Sequence, residues 1–120
     1  EFFNVREKGN GVVLVWREQN SPRGFIVVHC DMAEAYIQNI MVAPDEQNKG
    51  WGQATLNAFE EWARDRNITQ VKLEVDPNNK PAVALYSKLS YQKIAERKNA
   101  YPRGESAWVM QKIIQKKRVQ

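Results

Sequence analysis

Apolar and polar positions recur at two periods along the chain, and the changes of period mark out its elements. Val12 to Glu18 is β-prone, Asn20-Ser21-Pro22-Arg23-Gly24 reads as a turn, and Phe25 to His29 is β-prone again, which predicts an antiparallel pair. A second turn is expected over Asp31 to Glu34. Tyr36, Ile37, Ile40, Met41 and Val42 occupy both faces of the segment Tyr36 to Val42, the pattern of a strand covered on both sides. Beyond Pro44 the spacing turns helical. Leu56, Phe59 and Ala63 share one stripe with Trp51, Ala58 and Trp62 beside it, and Asn67 suits the left-handed residue that closes a helix. Val71, Leu73 and Val75 then alternate with Lys72, Glu74 and Asp76 as a strand of period two. Asn79 is a good N-cap, Pro81 is tolerated in a first turn, and Ala82, Leu85, Tyr86 and Leu89 fall on one face of a shorter helix. Tyr91 to Glu96 and Ala107 to Ile113 read as strands joined by the loop Asn99 to Glu105.

The resulting order, β-β-β-α-β-α-β-β, predicts an α/β fold whose strand-helix-strand crossover joins parallel strands, with function at their carboxyl ends. No repeat or Pro/Gly/Ser linker divides it, and 120 residues with 42% hydrophobic content supply one core, so residues 1–120 read as a single domain. The chain opens on Glu1 rather than Met, which leaves room for residues upstream. No apolar run approaches the ~20 residues of a membrane span, and the opening Glu1-Phe2-Phe3-Asn4 lacks the blocks of a secretion signal, so the expectation is a cytoplasmic protein without a membrane partner.

One cysteine, Cys30, and one histidine, His29, exclude a disulfide framework and a Cys/His zinc site, and no metal is expected. As neighbours in a strand they point to opposite faces and cannot form a dyad. The net charge of +4 is confined to the end: Lys112, Lys116, Lys117 and Arg118 lie in the last nine residues, and the remainder balances. A solvated basic end is favoured over a nucleic-acid footprint. Trp51, Phe59 and Trp62 recur at helical spacing, which favours a core role over a base-stacking platform.

Two stretches carry chemistry. The first, Val42-x-Pro44-x-x-Gln47-x-x-Gly50-x-Gly52, leads into the long helix, where unpartnered N–H groups and glycines without a Cβ suit an anion. It matches neither the P-loop nor the dinucleotide fingerprint. The second runs Leu73-x-Val75-x-x-x-Asn79-x-x-Ala82-x-x-Leu85-Tyr86-x-Lys88-x-Ser90-Tyr91. Together, in this order, they resemble the GNAT superfamily of N-acetyltransferases, and the resemblance covers Val12 to Lys112. Within it, Leu73-Glu74-Val75, Asn79 and Leu85-Tyr86, followed by Arg97-Lys98-Asn99-Ala100-Tyr101-Pro102 and Glu105-Ser106-Ala107-Trp108-Val109-Met110, are similar to the bacterial ribosomal-protein-alanine N-acetyltransferases. The chain departs from their pattern at Ala100-Tyr101, where two tyrosines are usual, at Ser106, where Asp is usual, and at Ser90-Tyr91, where Gly-Phe is usual. Ser90 puts a Cβ where glycine normally closes the helix, at a cost of up to about 1 kcal/mol.

The resemblance implies a GNAT-like mixed sheet with splayed parallel central strands. It implies that backbone groups of Ile40, Met41 and Val42 pair with the pantetheine amides of acetyl-CoA. N–H groups over Gln47, Asn48, Lys49, Gly50, Trp51, Gly52 and Gln53 would then hold its pyrophosphate. Tyr86 matches the family's general acid for the departing thiolate, against the alternative of a packed residue on the inner face of its helix. Glu74, twelve positions earlier, matches a proposed general base acting through water, and equally fits a charge on the solvent side of its strand. Asn79 is an N-cap, a cofactor ligand or both, and Tyr101 either faces the acceptor or is an ordinary loop aromatic. The demand on a base depends on the acceptor: at pH 7 an α-amine with pKa ~7.8 is roughly 14% neutral, a lysine with pKa ~10.4 roughly 0.04%.

The favoured acceptor is therefore a protein or peptide N-terminus, attacking directly. A small amine such as a polyamine, or a non-catalytic domain that binds coenzyme A or a protein, are the alternatives, and a homodimer is compatible with the resemblance. The family usually opens with a strand and two helices that wall the acceptor cleft. Only about eleven residues precede Val12, so this part is expected to be short, missing, upstream or supplied by a partner.

Overall fold

The predicted succession of elements is found, preceded by one more strand. The computed structural model describes residues 2–43 and 50–115. Its elements are β1 (Phe2–Lys8), β2 (Gly11–Glu18), β3 (Ser21–Asp31), β4 (Glu34–Val42), α1 (Trp51–Asp65), β5 (Gln70–Val75), α2 (Lys80–Lys88), β6 (Gln92–Arg97) and β7 (Ala107–Ile113). They form a seven-stranded sheet of order β1-β2-β3-β4-β5-β7-β6. The added strand β1 has no period-two pattern, because it ends in Arg6-Glu7-Lys8 and lies at the sheet edge, where only pairing with β2 is needed. Gly9, at φ 61°, and Asn10 turn it directly into β2. No helix stands between these two strands, so the pair of helices that walls the cleft in the family has no counterpart there.

The turn expected over residues 20–24 is shorter. Gln19 and Asn20 both adopt positive φ, 51° and 65°, as a two-residue hairpin turn requires, and β3 starts at Ser21. Arg23 is then an extra residue, since Trp16 faces Gly24 and Arg17 faces Pro22. Gly24 follows it beneath α1. A Cβ there would lie 2.6 Å from Oγ1 of the buried Thr55.

One face of the sheet carries the core. Leu14, Ile26, Val28, Ile37, Val71, Leu73 and Met110 join Leu56, Phe59, Trp62 and Ala63 of α1 and Tyr86 of α2 in a single cluster. Phe59 and Trp62 stack with ring centroids 5.8 Å apart, which gives these aromatics the core role expected. Asn67 takes φ 61° after the C-cap Arg66, as its place in the sequence predicts. None of the described helices is long and apolar enough to cross a membrane.

The central strands part where the ladder is broken. β4 and β5 pair in parallel only from Glu34↔Gln70 to Ile37↔Leu73. Immediately beyond, Val27 faces Asn39 while Val28 faces Ile37, which leaves Gln38 as a bulge in β4. A bulge bends its strand and strengthens the local twist, so β4 diverges from β5 at this residue. The double-sided cover expected for Tyr36 to Val42 is not found: Ala35 and Ile37 are buried on the core face, while Tyr36 on the other face is half-buried. Met41 is 53% exposed and Val42 36%, and among the described residues this edge of β4 pairs with β5 no further than Ile37.

Candidate active site

The gap opened at Gln38 is a cleft of about 270 Å³ at the carboxyl ends of β4 and β5. It brings together Ile40, Glu74, Asn79, Tyr86 and Tyr101, five of the residues singled out in the sequence. Met41 and Val42 do not join them with their side chains. They line a second depression of about 500 Å³, which also takes in Val15 and Phe25. Their backbone remains on the open edge of β4, bonded to β3 on the other side. Gln47, Asn48 and Lys49 lie outside the described residues.

Tyr86 projects from α2 and is buried at 6% exposure. Its carbonyl accepts from Tyr91 N–H at 2.9 Å, and the two rings meet edge to face at 6.0 Å. Burial pushes its phenol above the ordinary value, so it is a protonated donor at neutral pH.

Glu74 stands on the opposite side of β5 from Leu73 and Val75. Tyr36 donates its hydroxyl proton to Oε2, and Arg97 Nε donates to Oε1 at 2.7 Å. Burial works to raise the Glu74 pKa, but these two hydrogen bonds and the Arg97 charge outweigh it and hold the carboxyl below the usual range. The same bond, together with burial as the larger cause, pushes Tyr36 up to about 12. Glu74 is therefore an ionised carboxylate with both oxygens engaged, a weak base that orients a donor better than it strips one.

Asn79 caps α2, its Oδ1 accepting from Ala82 N–H at 3.3 Å, so the capping role is present and engages only the amide oxygen. Asp76 Oδ1 accepts from Asn78 N–H at 2.9 Å and tightens the approach to that cap. Tyr101 is half-buried over the cleft. Its loop is closed by Ala100 N–H to Glu105 O at 3.0 Å and Gly104 N–H to Tyr101 O at 2.8 Å. Burial first, then the charges of Asp76 and Glu74, raise its phenol pKa.

The first turn of α1 supplies the other expected feature. Gly50 is its N-cap at φ 76° and has no side chain with which to cap it, and no acidic residue occupies the first turn. A Cβ at Gly50 would meet nothing within 4 Å, so glycine is needed there for conformation, while at Gly52 it would meet Leu85 Cδ2 at 3.1 Å. The two glycines thus serve different ends, one the helix entry and the other the approach of α1 to α2.

Comparison with known proteins decides the family: residues 1–91 match the model of the acetyltransferase (GNAT) family. The chain belongs to the GNAT family. Over 78 residues it is 35% identical to the ribosomal protein bS18-alanine N-acetyltransferase of Escherichia coli K12, a match covering 65% of this chain and 53% of that protein. The crystal structure of the Escherichia coli ribosomal-protein-S18-alanine N-acetyltransferase superposes with TM-score 0.77 at 28% identity, covering 88% of this chain and 70% of the other. That of Ard1 from Thermoplasma volcanium gives 0.76 at 29%, covering 89% and 72%. The chain spans about half the length of the curated relatives it matches.

In this GNAT chain the motif residues Tyr86, Glu74 and Asn79 share one cleft, while Gly50 to Gln53 stand apart at the start of α1. Two residues of the cleft's electrostatics escape the motifs. Arg97 lies inside a quoted stretch without a role of its own, and Tyr36 is not singled out. Tyr36 pairs in register with Lys72, so Glu74 is its diagonal neighbour on the next strand. That relation exists only once the register is known.

Proposed function

We propose that this chain is an acetyl-CoA-dependent N-acetyltransferase whose acceptor is the α-amine of a protein or peptide, reached by direct attack. The observation that carries the reading is the cleft at the β4–β5 parting, where a protonated phenol on α2 and an ionised carboxylate on β5 line one opening. The fit to acetyl-CoA rests on two features of the chain. Among the described residues β4 pairs with β5 no further than Ile37, which offers N–H and C=O groups to pantetheine amides. The first turn of α1, entered through Gly50 and without an acidic residue, turns the N–H groups of Gly52 and Gln53 toward a diphosphate. Acetyl-CoA supplies an acyl group on a thioester whose leaving group is a thiolate.

Tyr86 donates a hydrogen bond, and then its proton, to that sulfur as the C–S bond breaks. The buried phenol is a weaker acid than a thiol of pKa about 8.5, so the step is completed by the proton that the attacking amine sheds, which restores the phenol. Glu74, fixed by Tyr36 and Arg97, accepts a hydrogen bond from the incoming amine or from a water that carries its proton. So weak a base suffices for an α-amine and is a poor match for a lysine or a polyamine, which supports the N-terminal acceptor. The names of the bS18-alanine relatives support the same class. A cytoplasmic setting is part of the proposal.

The test is titration of the protein with acetyl-CoA and coenzyme A, followed by thiol release with an Ala-starting peptide and with spermidine. Binding with release on the peptide supports the reading. Release on spermidine alone overturns the acceptor, and binding without release on any amine favours a non-catalytic domain.

A further inference from the structure

The departure from Gly-Phe to Ser90-Tyr91 places a hydroxyl inside the protein, and that hydroxyl has partners. Tyr91 is 2% exposed and donates to Glu60 Oε2 at 3.1 Å. Glu60, also 2% exposed, lies in the middle of α1 and accepts from Lys112 Nζ of β7 at 2.7 Å and, more weakly, from Arg64 at 3.5 Å. Lys112 Nζ also stands 5.7 Å from the Tyr91 ring centroid. A charged side chain is buried only where it is paired, and Glu60 is paired with cations on two elements. Tyr91 is therefore fixed at its hydroxyl end to α1 and, through Glu60, to β7.

Its other end holds Tyr86. Tyr91 N–H donates to the Tyr86 carbonyl at 2.9 Å, and its ring packs edge to face against the Tyr86 ring with centroids 6.0 Å apart. Ser90 between them takes φ 75°, which folds the chain back so that both contacts are made. A phenylalanine would keep the ring contact and lose the anchor.

We infer that Tyr91, anchored by Glu60 and Lys112, is a positioning residue that sets the orientation of the Tyr86 ring in the cleft. The inference rests on the reading of Tyr86 as proton donor. The network joins the helix whose first turn faces the proposed diphosphate, the strand beside β5 and the helix that carries Tyr86, so the donor is held relative to the place where the thioester would lie.

The test is a double-mutant cycle on the full chain with Tyr91→Phe and Tyr86→Phe, together with NMR of the protein labelled at its tyrosine rings. Tyr91→Phe alone is expected to lower kcat by about tenfold while KM for acetyl-CoA stays within about twofold, since small misplacements of a reacting group are costly. In the Tyr86→Phe background the same change is expected to cost almost nothing more, because its effect passes through the absent hydroxyl. The Tyr86 ring signals are expected to shift in Tyr91→Phe. An equal loss of kcat in both backgrounds, or Tyr86 signals that do not move, overturns the inference. If the wild-type chain acetylates nothing, the proposed activity fails, and the ring signals still decide whether Tyr91 orients Tyr86.

Discussion

The Tyr36 hydroxyl donates to the carboxylate of Glu74, 38 residues later, because pairing of Tyr36 with Lys72 makes Glu74 the diagonal neighbour on the same face of the sheet. With Arg97 on the second oxygen, the carboxylate is held ionised at the mouth of the cleft.

Glu74 has a folded pKa below its unfolded one, so its interactions stabilise the protein above the ordinary carboxylate range, and that contribution disappears as pH falls through the depressed value. Arg97→Gln should destabilise the protein at pH 7, with the difference from wild type narrowing below about pH 4. Denaturant unfolding at the two pH values measures this. Tyr36→Phe should raise the Glu74 pKa and move the acid limb of kcat/KM to higher pH, and an unmoved limb would remove Glu74 from the reaction.

Tyr86→Phe keeps the buried ring and removes only the donor. A loss of about 10²-fold in kcat is expected, the lower end of what a general acid contributes, with little change in the affinity for acetyl-CoA. Steady-state rates and calorimetric titration read the two quantities separately.

Gly50→Asp separates stability from binding. A Cβ there meets nothing and Asp is among the residues that enter the left-handed region, so the cost is the conformational one of about 1 kcal/mol and the melting temperature should fall by only a few degrees. Its negative charge occupies the end of α1 that the diphosphate would use, and affinity for coenzyme A should fall by more than about tenfold. Equal affinity in this variant would move the phosphate site elsewhere.

Ser90 occupies φ 75° with a Cβ, after the last turn of α2. Ser90→Gly relieves up to about 1 kcal/mol of left-handed strain and adds about 0.5–1 kcal/mol of chain entropy cost, so the two nearly cancel and stability in denaturant unfolding is expected to change by less than about 0.5 kcal/mol.

Gly24→Ala should destabilise the protein. The new Cβ would stand 2.6 Å from Thr55 Oγ1, inside a fully buried contact whose own hydroxyl is bonded to Trp51 O at 2.7 Å. Overpacking of this kind costs about 1–3 kcal/mol, and the melting temperature should drop by several degrees.

Much of this architecture is legible along the chain, because it is recorded in local periods. The stripe Leu56, Phe59 and Ala63, the alternation Val71, Leu73 and Val75, the cap at Asn79 and the left-handed Asn67 each need only their near neighbours, and each is found in place. Three motif residues, Tyr86, Glu74 and Asn79, line one cleft.

What the amino-acid order by itself determined is thus the type and succession of the elements after β1, and the residue kinds that meet at the carboxyl ends of the parallel strands. Only the tertiary structure decided the edge strand β1, the bulge at Gln38 that parts β4 from β5, the hold of Tyr36 and Arg97 on Glu74, and the burial of Glu60 with Tyr91 and Lys112. The reason is physical. Periodicity reports which face of an element is apolar, whereas register, bulges and buried ion pairs depend on which residue of another element stands opposite, and that partner lies tens of positions away.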